Sequence, residues 1–388
     1  MMRDRHIQVG VFVPPHHSNT ENVALAMRRD LALAEWLDEL GYAELWMGEH
    51  HSGGMQIYGS PEMFIAAAAE RTQRIRLGAG VISLPYHNPF MVADRIVQLD
   101  NQTQGRAMFG FGPGALASDA HMLGIPVAKS RDRLAQGIAV IMRLLDGETV
   151  TETTDWYTLK DARLHLTPFS HPRPPLAVAS LKTPTGAMTA GRYDMELLCA
   201  NAAGAKDALK IATAAAQEQG RTYDRSRLRV VGSFHLAETR EEARRLAQHG
   251  MAEYIDYSNI MRPPAPNGKP SAGDPIEQVL AMRGGIIGTP DEAVAALERL
   301  WEQTGGFGCL LLQGTNWMDF EATKRSYELF MRYVLPAFTG QNKSRAGAFQ
   351  WMQENAQMFS DIRDDAAAQA MGQPSTPAPV IAKKTSAA

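Results

Sequence analysis

The stretch Tyr42-Ala-Glu-Leu-Trp-Met-Gly-Glu-His-His-Ser-Gly-Gly-Met55 decides how the rest of the chain is read. Ala43 to Met47 is a mostly apolar run of strand length, and it stops at a carboxylate beside two adjacent histidines. Glycines at 48, 53 and 54 turn the chain, and Pro61 opens a helix. A buried strand that ends in titratable groups and turns into a helix is the repeating unit of a parallel α/β sheet. In that architecture active sites hang on the strand ends.

Working outward, the same unit recurs. Ile7 to Val13 is an apolar run broken by Pro14-Pro15; the helix after it spans residues 22–40, with Thr20 or Asn22 as N-cap and Gly41 as its stop. The strand at 43–47 is followed by a helix over 61–71. Further strands are predicted at 75–82, 107–112, 175–180, 196–200, 228–236 and 307–313. Their helices follow at 91–104, 130–146, 183–191, 205–220, 239–261 and, last, 319–333. Thr289-Pro-Asp-Glu, with a cap, a proline and acids in the first turn, opens a further helix. Strand then helix, eight times, predicts an α/β fold of the (β/α)₈ TIM-barrel type over residues 1–339. Two stretches break the rhythm and read as insertions. Residues 147–172 hold short β-prone pieces, and 262–287 are rich in Pro and Gly, suiting a lid with Gly284 and Gly285 as hinges. Residues 340–388 form an extension, with an amphipathic helix over 346–371 carrying Phe349, Met352 and Phe359, then a tail disordered by composition.

Composition narrows the function classes. A 388-residue chain with 45% hydrophobic residues can bury a large core, and a net charge of −3 leaves no basic footprint for nucleic acid. Cys199 and Cys309 lie inside apolar runs and read as buried, reduced thiols. The start MMRDRH lacks a signal-peptide core, and no apolar run approaches the roughly 18 residues of a membrane helix, so a cytoplasmic location is expected.

The C-terminal strand ends should carry the chemistry. Strand one offers His16 and His17; strand two Glu49, His50 and His51; strand three Tyr86, His87 and Asn88. Strand four offers Gly110-Phe-Gly-Pro-Gly114, Ser118 and Asp119, and strand five Ser180 to Thr185. Asn201, His235, Gln313 and Trp317 complete the ring. A metal site is disfavoured, since adjacent histidines on an extended chain face opposite ways and no His-x-His is present. A phosphate site is better supported. Hydroxyls and Lys182 lead straight into a helix N-terminus, and Gly110, Gly112 and Gly114 permit close backbone approach next door. Arg131 and Arg133, at the start of the fourth helix, read on their own as surface charges.

Several segments resemble the bacterial luciferase-like superfamily of flavin-dependent monooxygenases. They are VGVFVPP, GYAELWMGEHH, RIRLGAGVISLPYHNPFMVADRIVQLD, GRAMFGFGPGALASD, PLAVASLKTPTGAMTAGR and IIGTPDEAVAAL, in family order. SPEMFIAAAAERT and GPGALASDAHMLGI are most similar to the limonene monooxygenase group. The resemblance implies a TIM barrel that binds FMN, reduced by a separate flavin reductase, and uses O₂ through a peroxyflavin to oxygenate a small apolar substrate such as limonene. It implies that His50 assists the oxygen chemistry, with Glu49 and His51 in support. It also implies that Gly80-Val81 forms a non-prolyl cis peptide against the flavin ring, and that Ser180, Leu181, Thr183 and Arg131 bind the phosphate. Where luciferase has a reactive cysteine and an arginine, this chain has Gly112 and Pro113, which shifts the phosphate charge onto Arg131, Lys182 and the helix terminus and speaks against light emission. In this family the second and third helices make a homodimer interface, and Ala66 to Ala69 give the second helix a small-residue face. Two rival readings share the fold: a deazaflavin (F420) hydride-transfer enzyme, and a flavin-binding protein without catalysis.

Overall fold

The computed structural model describes residues 5–180, 183–261 and 273–372. The chain divides into two compact units, Met1–Phe338 and Thr339–Ala388. In the first, the strands are β1 Gln8–Val13, β2 Glu44–Met47, β3 Arg76–Ser83, β4 Ala107–Gly112, β5 Val150–Thr153, β6 Thr158–Ala162, β7 Leu176–Ser180, β8 Glu196–Cys199, β9 Leu228–Leu236, β10 Gly285–Gly288 and β11 Cys309–Gln313. Eight of them pair in parallel in the order β9, β11, β1, β2, β3, β4, β7, β8, and a β8–β9 pairing closes the ring. That is the (β/α)₈ barrel.

Side-chain alternation sorts each strand into an outer and an inner face. Val9, Val11 and Val13 of β1, and Leu45 and Met47 of β2, point outward into the main core beneath the helices. The inner faces meet in the lumen, where Trp46, Met108, Ala177, Leu198, Val231, Cys309 and Leu311 form one cluster with Phe12 and Val81 against it. The helices start where local chemistry says they should. Asn22 caps Val23–Leu40 by accepting from Leu25 N–H, and Gly41 ends it in the left-handed region. Thr289 and Glu292 form a capping box on the Pro290–Thr304 helix.

Three expectations are revised. The break at 262–287 is partly regular: Asp274 caps a helix over Pro275–Arg283, and β10 adds to the upper half of β9. Residues 262–272 of the expected lid lie outside the described residues. On the second barrel helix, Pro61–Ala69, Ala68 and Ala69 are buried against the barrel, so part of the small-residue face packs inward. The single helix expected over 346–371 is two helices, Lys343–Glu354 and Ala356–Ala370, separated at Asn355. The insertion at 147–172 is the antiparallel β5–β6 hairpin. Among the described residues, no helix is long and apolar enough to cross a membrane.

Candidate active site

The end of β2 is held by a buried carboxylate. Glu49 Oε1 accepts from His51 Nε2 and His87 Nε2, both at 2.9 Å, and its Oε2 accepts from Ser83 N–H at 2.9 Å. Burial alone would raise the pKa of Glu49; the hydrogen bonds from the two histidines outweigh it and hold the carboxyl below its ordinary range. The bond to Glu49 raises His51 in turn. These three side chains bring ligand-type atoms within 4.8 Å of one another, a grouping that reading the adjacent histidines alone did not anticipate. His87, from the next strand end, replaces His50 in it. The geometry is that of a carboxylate whose two oxygens are already engaged by N–H donors, tying the ends of β2 and β3 together.

His50 turns the other way, as alternation requires. Its Nδ1 faces Asp119 Oδ2 at 3.5 Å, and its side chain is 17% exposed. Asp119 is buried on the short Ala117–Met122 helix after β4 and also accepts from Ser52 Oγ and from His51 N–H. Burial would raise the Asp119 pKa, but the contacts from His50 and Ser52 prevail and keep it low, so an anion stands behind the imidazole. His50, His51, Ser52, Gly54, Gln56 and Ile57 line a cleft of ≈ 430 Å³. A smaller hollow of ≈ 250 Å³, among Arg143, Arg173, Arg192 and Arg221, lies by helix C-termini at the opposite end of the barrel.

The Gly80–Val81 peptide is cis. A Cβ at Gly48 would lie 3.6 Å from the Gly80 carbonyl oxygen, so the β2 end carrying Glu49 and His50 runs beside this peptide. Gly112 belongs to the same patch, because a Cβ there would meet Val81 Cγ2 at 2.5 Å. The glycines on the inner faces of β3 and β4 leave space that the rings of Trp46 and Phe12 and the Val81 side chain fill, giving the mouth a flat apolar floor.

Ser180 is buried at the end of β7. Leu181 and Lys182 lie outside the described residues. Thr183 is the N-cap residue of the Pro184–Tyr193 helix, extended and without a side-chain bond to its first turn. Gly186 lets that helix sit against the strand, since a Cβ would stand 2.3 Å from Ala179 O. Arg131 is exposed in the first turn of Ser130–Leu145 and has no ion pair among the described residues, whereas Lys129 and Arg133 both face Asp155. Thus His50, Gly80, Val81 and Gly112 come together at one side of the mouth. Ser180 and Thr183 flank it, and no described contact joins Arg131 to them.

Above the mouth, the helix Arg240–Met261 supplies a roof. His16 meets the rings of Tyr254 and Tyr257 edge-on at 5.5 and 5.1 Å, and Gly53 lies under Tyr257 and Met261 with no room for a Cβ. Asp119 was visible in the sequence only as a strand-end polar residue. Its role behind His50 needs the spatial neighbourhood of β2 and β4, which no spacing encodes.

The profile of the luciferase-like monooxygenase family matches residues 7–307. Limonene 1,2-monooxygenase of Rhodococcus erythropolis is 43% identical over 363 residues, covering 92% of this chain and 93% of that protein. The 4-hydroxyprotoasukamycin monooxygenase of Streptomyces nodosus subsp. asukaensis is 45% identical over 360 residues, covering 90% and 97%. Among solved structures, monooxygenase RslO1 from Streptomyces bottropensis superposes with a TM-score of 0.75 at 27% identity, covering 86% of this chain and all of that one (100%).

Proposed function

The chain belongs to the luciferase-like monooxygenase family and is a flavin-dependent monooxygenase; we propose that its flavin is FMN, reduced by a separate reductase, and that His50 serves its oxygen chemistry. The observation that carries this reading is the position of His50, backed by the buried Asp119 carboxylate while its main chain runs beside the cis Gly80–Val81 peptide. The residues fit such a cofactor. A flat floor of Phe12, Trp46 and Val81 suits a planar ring, and the Gly112 backbone is open to close approach. Ser180, Thr183, the helix start at Pro184 and Arg131, which has no ion pair among the described residues, suit a terminal phosphate, with Leu181 and Lys182 lying between Ser180 and Thr183 in sequence.

When bound, reduced flavin supplies electrons to O₂. The chain's own part is proton handling and exclusion of water. Asp119 stands 3.5 Å from His50 Nδ1, which leaves Nε2 as the ring nitrogen that exchanges a proton with an oxygen atom in the mouth. His16, Tyr254 and Tyr257 close the roof. The substrate is a small organic molecule with a largely apolar skeleton, limonene-like in size. A second copy of the chain would pack on the helices Pro61–Ala69 and Pro89–Gln102, where Met63 and Met91 are 77% and 49% exposed. A cytoplasmic location suits an enzyme that draws reduced flavin from a reductase.

Anaerobic titration of the protein with reduced FMN and with reduced F420, then mixing with aerated buffer and substrate, tests the assignment. Reduced FMN should bind, and product should form under O₂. His50→Ala should bind FMN equally well while its coupled oxygenation falls about 10²–10⁴-fold and H₂O₂ release rises. Binding of F420 in place of FMN, or full coupling in His50→Ala, would sink the proposal.

A further inference from the structure

We infer that the β1–β9–β11 side of the barrel mouth is a substrate subsite in which the Gln313 amide donates to a carbonyl or hydroxyl oxygen carried on an otherwise apolar skeleton. This rests on the monooxygenase reading and specifies its substrate class. β11 presents Cys309 and Leu311 to the lumen, so Gln313, two residues further, faces the same way at the top. It is 3% exposed. Ser233 Oγ lies 3.3 Å from Gln313 Oε1 and donates to it, which orients the amide and leaves Nε2 without a partner among the described residues.

Other polar atoms around it are in the same condition. His235 follows Ser233 on the inner face of β9, is buried, and its Nε2 is unpartnered. Burial pushes its pKa down to about 3, so the ring is neutral and offers one donor and one acceptor. Thr315 Oγ1 and Trp317 Nε1 just past β11, and His16 Nε2 past β1, are also buried and without a hydrogen-bond partner among the described residues. Across the mouth, by contrast, the Glu49 and Asp119 carboxylates already accept from their neighbours.

Gln313 is in register with Phe12, whose ring would meet a Cβ on Gly80 at 3.0 Å. A substrate held by the Gln313 amide therefore lies next to Phe12, one of the rings that floor the flavin site. Buried polar groups are normally paired, and a donor left unpaired beside a ligand penalises that ligand. A pure hydrocarbon leaves the Gln313 N–H groups unpaired; a ring ketone or a hydroxyl satisfies them.

The test uses matched pairs, limonene with carvone and camphane with camphor, titrated calorimetrically into the flavin-free protein. Within each pair the ketone should bind about 100-fold more tightly, as sites built to pair a polar group discriminate strongly against analogues lacking it. Gln313→Leu should cut that preference at least about tenfold without weakening the hydrocarbon, its fold being checked by thermal melting. Ser233→Ala, which loosens the amide, should give an intermediate loss and serves if Gln313→Leu does not fold. Equal affinity within each pair, no binding by either ketone, or an unchanged ratio in both variants would overturn the inference. Reduced-FMN binding is measured separately. If FMN binds and hydrocarbons are preferred, the inference falls and the function stands; if FMN does not bind, the functional proposal falls.

Discussion

Two histidines adjacent in the chain do different jobs because a strand end sends them to opposite sides. His50 meets Asp119 from the β4 side, and His51 meets Glu49, whose bonds from Ser83 and His87 join β2 to β3. The second arrangement makes a pH-dependent contribution to stability. Glu49 is held below its ordinary value near 4.5, so its contribution is present above that value and is lost as pH falls through the lowered folded pKa. His51 is raised above its ordinary value near 6.5, so its contribution is complete below 6.5 and is lost as pH rises through the raised pKa. The two windows overlap between those ordinary values. Glu49→Gln should therefore destabilise most near pH 5.5–6, by about 2–3 kcal/mol, the worth of hydrogen bonds to a buried charge. Urea unfolding of both proteins from pH 5 to 9 measures it, and a deficit that grew toward pH 9 would contradict the assignment. Residue identities at this site were legible in the sequence, because Glu-His-His stands just past an apolar strand. The split of their partners was not, since Asp119 and His87 come from other strand ends.

At the scale of elements, close approach sets the limits. The helices Pro184–Tyr193 and Ala205–Gln217 cross on small residues, Gly191 against Ala212 and Ala215. A Cβ at Gly191 would stand 2.0 Å from the Ala212 carbonyl oxygen, which is backbone and cannot rotate aside. Helix propensity favours Ala over Gly by about 1 kcal/mol. Overpacking here should reverse that sign, and Gly191→Ala should lose about 2 kcal/mol in urea unfolding. A stabilised variant would mean that the two helices can separate freely. The barrel's strands could be read in advance because each is a short apolar run between turn signals, and their ends shifted by only a residue or two. The helix over Pro275–Arg283 was missed although Asp274-Pro275 is the same start signal as Thr289-Pro290. Surrounding prolines and glycines hid it, and β10, at four residues, earns its strand geometry by pairing with β9.

Closure of the whole barrel places charge where no local pattern would put it. Glu44 of β2, Glu196 of β8 and Arg229 of β9 each alternate with apolar neighbours, and only a closed ring turns their faces toward one another. Arg229 Nη2 reaches Glu44 Oε1 at 2.8 Å across the lumen, and its Nη1 pairs with Glu196. Glu44 Oε2 also accepts from the indole of Trp46 at 2.8 Å, so this ionic floor supports the apolar layer beneath the mouth. Burial lifts the Glu196 pKa, with Arg229 opposing the rise. Burial likewise works against the Arg229 cation, and Glu44 and Glu196 together overcome it. Arg229→Met keeps the bulk and removes the charge, leaving the Glu44 carboxylate buried in the lumen and Glu196 with Arg227 at 3.7 Å. The loss at pH 7.5 should be about 3–5 kcal/mol, the cost of an uncompensated buried charge. Without the cation the folded pKa of Glu196 climbs further above 4.5, so the folded state binds protons that the unfolded state does not. The deficit relative to the parent protein should therefore shrink as pH falls from 7.5 toward 5, the opposite trend to simple acid destabilisation. Arg229→Lys should recover less than half of it, because a single ammonium cannot span both carboxylates as the guanidinium fork does. Urea midpoints at pH 7.5, 6 and 5 decide the matter: a deficit that stayed constant with pH would assign the loss to packing around residue 229 and take the charge out of the explanation.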